Sequence, residues 1–195
     1  MNIRYLEQDW QIVVVATTCA VADLRATLAE LSGKSLGADI RVMASERDDL
    51  RAFLGETDYP ATFGLPETLQ PGHYWSTVLA DLDYSRQRTI LVQAGVHVPD
   101  KWDARLVAVG QRAQGAWAVA PLCAKHPLLS AFYDAGHSPG LSVEAVDQWL
   151  NDYVEGTEFE VPVMLESCLL LQGPAWKQLG GAENDRQLME RIRLR

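Results

Sequence analysis

A chain of 195 residues, 48% hydrophobic and 22% charged, is long enough for one sizeable core and short for two full domains. Its net charge of -9 leaves little cationic surface for the counterion release that nucleic-acid binding requires, so no nucleic-acid partner is expected. No stretch approaches the ~18 uninterrupted apolar residues of a membrane span, and the opening MNIRYLEQDW lacks the basic-then-apolar layout of a signal peptide, so a cytoplasmic protein is expected.

QIVVVATT (11–18) is a short β-branched run, and VADLRATLAELSGK (21–34) repeats apolar residues at helical spacing. Strand followed by helix opens an α/β unit. A second cycle follows in ADIRVMAS (38–45) and ERDDLRAFLG (46–55), and a third in the helix HYWSTVLADLDYS (73–85) feeding the strand RTILVQAG (88–95). Three such cycles predict a parallel sheet with right-handed crossovers. Pro99 suits the first turn of a helix through Trp102, Leu106 and Val109, and AWAVAPL (116–122) reads as another buried strand.

The pattern then changes. HPLLSAFYDAGHSPG (126–140) has the composition of an irregular loop, and Ser142 is placed to cap a helix over 143–154 whose Val143, Val146 and Leu150 share a face. EFEVPVML (158–165) alternates acidic and apolar residues around Pro162, as an edge strand does. PAWKQLGG (174–181) starts with proline and stops at a glycine pair, leading to a last helix over 183–195. The basic run of Arg186, Arg191, Arg193 and Arg195 fits the solvated side of that helix.

The motifs of phosphate loops, dinucleotide-binding turns, serine-hydrolase elbows and zincin helices do not occur. Cys123, His126 and His137 allow a zinc site to be imagined, but no second closely spaced pair joins them, and Cys19, Cys123 and Cys168 fit reduced core thiols. Trp75, Trp102, Trp117, Trp149 and Trp176 stand at positions where an aromatic ordinarily anchors a core. Glu183 and Asp185 open the last helix, where acids favour the dipole; a pair of acids at a site mouth is also how a general base is supplied.

The succession IVVVATT, RVMAS, ILVQAGVHVPDKWDARL, AWAVAPL, VPVMLESCLLLQGPAWKQLGG and ENDRQLMERIRL resembles the family-2 glycosyltransferases of GT-A fold, in particular those of bacterial O-antigen and polysaccharide assembly. The matches that carry it are Pro99 with Trp102 and Leu106, the SPGLSVEAVDQWLNDYVEGTEFEVPV segment with Cys168, and Glu183-Asn184-Asp185 with Leu188 and Arg191. The resemblance implies one α/β domain over 1–195: a mostly parallel, Rossmann-like central sheet flanked by helices with a small edge-strand region, its nucleotide-binding half at about 1–98 and its acceptor-side half at about 99–195.

It further implies a nucleoside-diphosphate sugar as donor, a glycan acceptor and inverting transfer, with Asp185 as base and Glu183 beside it. Thr17, Ser45, Gln93, Gly95 and His97 are then the donor-side residues, and Glu166 lines the acceptor cleft. The family's metal-binding aspartate corresponds here to Gln93-Ala94-Gly95, so the Mn or Mg ion it implies has no carboxylate at that position, and His97 is the residue left to act as nitrogen ligand or phosphate contact. Its nucleobase aspartate corresponds to Ala44 and Ser45, with Asp48 and Asp49 slightly later. Two other readings follow from these departures: a GT-A-like domain without catalysis, serving as a scaffold among polysaccharide-assembly proteins, and a nucleotidyltransferase, whose Gly-rich basic loop is missing from ATTCAVAD.

Overall fold

The first strand, β1 (Trp10–Ala16), is buried along its whole length, as a β-branched strand covered on both faces must be. The computed structural model describes residues 9–36, 38–68, 73–82, 87–113, 118–121, 142–154, 167–172 and 183–193. After β1 come α1 (Val21–Lys34), β2 (Asp39–Ser45), α2 (Asp48–Gly55), β3 (Ala61–Leu65), α3 (Tyr74–Ala80) and β4 (Arg88–Gln93). The chain continues through α4 (Trp102–Arg112), β5 (Ala118–Val119), α5 (Val143–Val154), β6 (Cys168–Gln172) and α6 (Asp185–Arg193).

The six strands form one sheet in the order β3-β2-β1-β4-β6-β5. β1 to β4 are parallel, and β6 alone is reversed, pairing antiparallel with β4 on one side and β5 on the other. This is the α/β architecture with a mostly parallel central sheet flanked by helices that the sequence predicts.

Strand parity divides the core. Ile12, Val14 and Ala16 point to the face covered by α1, α2 and α4, where Leu24, Leu28, Leu50, Leu54, Leu106 and Val107 are buried. Val13 and Val15 point to the opposite face, against Trp75, Val78 and Leu79 of α3 and Leu188 of α6. The three leucines of β6 split the same way, Leu170 to the first face and Leu169 and Leu171 to the second. CLLLQ is therefore an interior strand, and its unbroken apolar run is the signature of burial on both sides.

Three elements differ from the sequence expectations. β3 was not anticipated: bracketed by Pro60 and Pro66 and containing Gly64, it has no strong strand pattern, and it survives as an edge strand with Thr62 and Gly64 exposed. Pro99 lies before α4 rather than in its first turn. The N-cap is Lys101, held left-handed at φ 56° while its N–H donates to the Lys34 carbonyl at 2.8 Å. The third helix ends at Ala80, short of the predicted boundary. The edge strand expected at 158–165 and the helix expected at 174–181 lie outside the described residues.

α4 crosses β6 closely enough that Gly110 has no room for a side chain. A Cβ there would stand 2.7 Å from Leu170 Cδ2 and 3.3 Å from Gln172. Leu170 is fully buried and has nowhere to go. Gly110→Val is expected to destabilise the fold by about 2 kcal/mol, overpacking outweighing the better helix propensity. A urea midpoint unchanged from wild type would show that α4 can lift off β6.

Candidate functional site at the carboxyl edge of the sheet

The chain builds β2 and β3 outward on one side of β1 and then crosses to place β4 on the other. The gap between the carboxyl ends of β1 and β4 is thus the topological switch point, where open α/β sheets take their ligands. Register fixes what lies there. Ala16 pairs with Ala44 and Val15 with Gln93, so the next residues, Thr17, Ser45 and Ala94-Gly95, share one edge. Thr17, Ser45, Gln93 and Gly95, the donor-side residues named from sequence, share this edge; Ser45 is fully buried, Thr17 is buried, Gln93 is half-buried and Gly95 exposed.

The side chains at this edge hold backbone. Ser45 Oγ donates to the Thr17 carbonyl at 3.2 Å. Arg47, two residues past β2, donates through Nη1 to the same carbonyl at 3.2 Å and to that of Cys19 at 2.8 Å. Its Nε and Nη2 grip Asp49 at 3.0 and 2.5 Å, which holds the Asp49 carboxyl below the usual carboxylate range and pushes the Arg47 guanidinium higher still. Asp49, considered from sequence as a late nucleobase contact, is thereby committed to Arg47. Burial pushes the Cys19 thiol up, partly opposed by the Arg47 charge.

β4 ends at Gln93 in a turn. Ala94 N–H donates to the Val15 carbonyl at 3.0 Å, Val96 N–H to that of Gln93 at 3.2 Å, and Gly95 adopts φ +95°, a conformation that favours glycine. Gly95 N–H donates to Thr27 Oγ1 on α1 at 2.8 Å. Strand parity therefore stops at Gln93 and does not carry His97 to the same face. The segment runs down the flank of α1 instead: Gly95 meets Thr27, His97 Nδ1 bonds Glu30 at 2.8 Å, and the Val98 carbonyl accepts from Lys34 Nζ at 2.8 Å. Burial pushes the Glu30 carboxyl up, but hydrogen bonds from Lys34 and His97 outweigh it and hold it below its ordinary value. Lys34 also reaches Glu144 of α5 at 3.2 Å, and Arg105 of α4 grips Asp147 of α5 with both Nη atoms, at 2.8 and 2.6 Å.

Thr27 and Arg47 were not anticipated as site residues. Thr27 leaves a signal, a hydroxyl in the interior of a helix whose neighbours Leu24, Leu28 and Leu31 are all buried; the long reach of Arg47 leaves none. Thr27→Val keeps the shape and removes the acceptor, stranding the Gly95 N–H at an expected cost of about 1–2 kcal/mol. Equilibrium urea unfolding measures this, and a change below a few tenths of a kcal/mol would mean that water replaces the hydroxyl.

The acids of the last helix sit on the second face. β3 runs toward the carboxyl edge and β4 starts from the opposite one, so the returning helix α3 has its N-terminus on the carboxyl side. Asp185 Oδ1 accepts the Ser76 N–H in the first turn of α3 at 2.8 Å, satisfying one of the donors that a helix start leaves free. Asn184 caps α6 through its Oδ1 to Gln187 N–H at 2.9 Å, and Glu183 N–H donates to Gln187 Oε1 at 2.7 Å. Asp185 is half-buried and Glu183 exposed. Glu166, Cys123, His126 and His137 lie outside the described residues.

A divalent ion at the end of β4 does not fit the residues present. Gln93, Ala94 and Gly95 offer no carboxylate, and hard cations take carboxylate oxygens. Asp49 and Glu30, on the helices that leave this edge and the one beside it, are each tied to a cationic side chain. Among the described residues no group of three or more His, Cys, Asp or Glu could hold a metal. No helix among them is long and apolar enough to cross a membrane.

No protein-family model matches the sequence, and no curated protein matches it. Solved structures do resemble it, and the first of those named here shares the fold. A mannosyltransferase from Pyrobaculum calidifontis, in complex with GDP-Man and Mn2+, superposes with a TM-score of 0.52 at 17% identity, over 92% of this chain and 50% of its own. This chain thus spans half the length of that transferase. Mouse xyloside xylosyltransferase 1 gives 0.46 at 11% identity, over 95% of this chain and 82% of its own. The 4-diphosphocytidyl-2C-methyl-D-erythritol synthase of Anaerococcus prevotii gives 0.47 at 11%, over 95% and 83%.

Proposed function

We propose that the chain is a nucleotide-sugar glycosyltransferase of the inverting kind. The donor, a nucleoside-diphosphate sugar, lies across the carboxyl ends of β1, β2 and β4, and the acceptor is a hydroxyl of a polysaccharide or glycoconjugate. The observation that carries the reading is the gathering of Thr17, Ser45, Gln93 and Gly95 at the switch point between β1 and β4. The GT-A-like fold shared with the Pyrobaculum mannosyltransferase, which binds GDP-Man, supports it.

In this reading Asp185 takes the proton of the acceptor hydroxyl. The freed oxygen attacks the anomeric carbon, whose bond to the phosphate oxygen breaks on the opposite face, and the electron pair leaves with the diphosphate. Oδ1 of Asp185 is occupied by the Ser76 N–H, which fixes the carboxyl group and leaves Oδ2 for the proton. Glu183 is the acidic neighbour, and Glu166 is the proposed acceptor contact. His97, bonded to Glu30 on the flank of α1, is turned away from this edge and is assigned no donor contact. Cytoplasmic location and association with other polysaccharide-assembly proteins belong to the same proposal.

Calorimetric titration with UDP, GDP and dTDP sugars, each with and without Mn2+ or Mg2+, tests it. Binding of at least one donor with release of free sugar or transfer to a glycan is expected. A protein that binds none of them is not a glycosyltransferase. The absence of a carboxylate at the end of β4 favours a second reading, a GT-A-like domain that binds without catalysing. Donor binding with no turnover, with either ion present, is its signature.

A further inference from the structure

We infer that Arg47 is the positioning residue of the donor pocket, acting by clamping the loop between β1 and α1; as a statement about donor binding it rests on the nucleotide-sugar reading. The loop residues Thr17 to Ala20 leave the ladder of β1, so their carbonyls need partners from elsewhere. α1 supplies no side-chain cap of its own, since its N-cap is Ala20. The carbonyls of Thr17 and Cys19 are satisfied from the carboxyl end of β2: Thr17 by Ser45 Oγ and Arg47 Nη1, and Cys19 by Arg47 Nη1. Asp49 holds the other end of the guanidinium through Nε and Nη2, so the fork is fixed before any ligand arrives.

One guanidinium therefore ties together the carboxyl ends of two adjacent strands, at the edge where the donor is placed. The geometry is specific to arginine. A lysine ammonium gathers its three donors at one atom, so it lacks the planar fork that grips Asp49 through two nitrogens while a third reaches the two carbonyls. Arg47 need not touch the ligand; it sets the path of the backbone that does.

Hydrogen exchange of the 18–22 amides and donor kinetics, both on the full chain, test this with Arg47→Ala and Arg47→Lys. Exchange at 18–22 is expected to speed up by about tenfold or more in Arg47→Ala and less in Arg47→Lys, with the amides of β1 and β4 unaffected. The donor KM is expected to rise by about tenfold while kcat changes by less than about threefold, as loss of ground-state positioning requires. A purely structural role would lower the active fraction and leave KM alone. Unchanged exchange in Arg47→Ala, or an unchanged KM in both variants, overturns the inference. If the wild-type protein binds no nucleotide yet the exchange difference is present, the glycosyltransferase reading falls and the loop clamp stands. If Arg47→Ala does not fold, Arg47→Lys carries both measurements.

Discussion

Asp103→Ala is expected to cost about 3 kcal/mol, the largest single loss of stability among the described polar residues. Asp103, the second residue of α4, is fully buried. Its carboxyl group accepts the indole N–H of Trp10 at 3.2 Å and the backbone N–H of Leu36 at 3.0 and 3.2 Å. These donors belong to the start of β1 and to the link between α1 and β2, so one side chain fastens three segments at the amino edge. Trp102 repeats the connection, its indole N–H donating to Ser35 Oγ at 3.0 Å.

Alanine would take the acceptor from the buried Trp10 indole and from the half-buried Leu36 N–H, at about 1–3 kcal/mol each, against a gain in helix propensity below about 0.7 kcal/mol. For a chain of this size the melting temperature should fall by roughly 6–12 °C. Asp103→Asn keeps one acceptor and should lose less. A loss below about 1 kcal/mol for the alanine variant would mean that water enters and that the fastening is dispensable.

The elements that were legible in the sequence are those in which one residue pattern suffices. The β-branched run of β1, the 3.6-residue spacing of α1 and the Ser142 cap of α5 all appear where expected, the last with Ala145 N–H donating to Ser142 Oγ at 3.2 Å. The convergence of Thr17, Ser45, Gln93 and Gly95 also follows, because parallel strands that begin in register end in register. What was not legible depends on partners distant in the chain. β3 exists only because β2 offers it a ladder. His97 is carried off the edge by a local detail, the turn at Ala94-Gly95, which a hydroxyl in another element helps to hold. Arg47 and Asp103 act through a few long-range hydrogen bonds each, which leave no period in sequence. The carboxyl edge thus reads from sequence as a set of strand ends, and from structure as a set of clamps that shape them.

Asp185→Asn separates the two roles that geometry gives to Asp185. The carboxyl group lies on the carboxyl side of the sheet, where the proposed reaction needs a base, but it also caps α3 through the Ser76 N–H. An asparagine oxygen accepts the same hydrogen bond and keeps nearly the same shape, yet it cannot take a proton at neutral pH. If Asp185 is the base, Asp185→Asn should lower kcat by about 100-fold or more, general-base catalysis contributing that much, while the melting temperature stays within about 2 °C of wild type. Asp185→Ala should lose activity to the same extent and, in addition, about 1 kcal/mol of stability from the lost cap. The decisive comparison is therefore between asparagine and wild type at equal stability. If the asparagine variant retains full turnover while the alanine variant loses it along with stability, Asp185 holds α3 against α6 and does no chemistry, and the base must be sought in another carboxylate. Leu188, one turn along from Asp185 and buried against the α3 face, makes that structural outcome measurable: Leu188→Ala would then mimic Asp185→Ala in turnover as well as in stability.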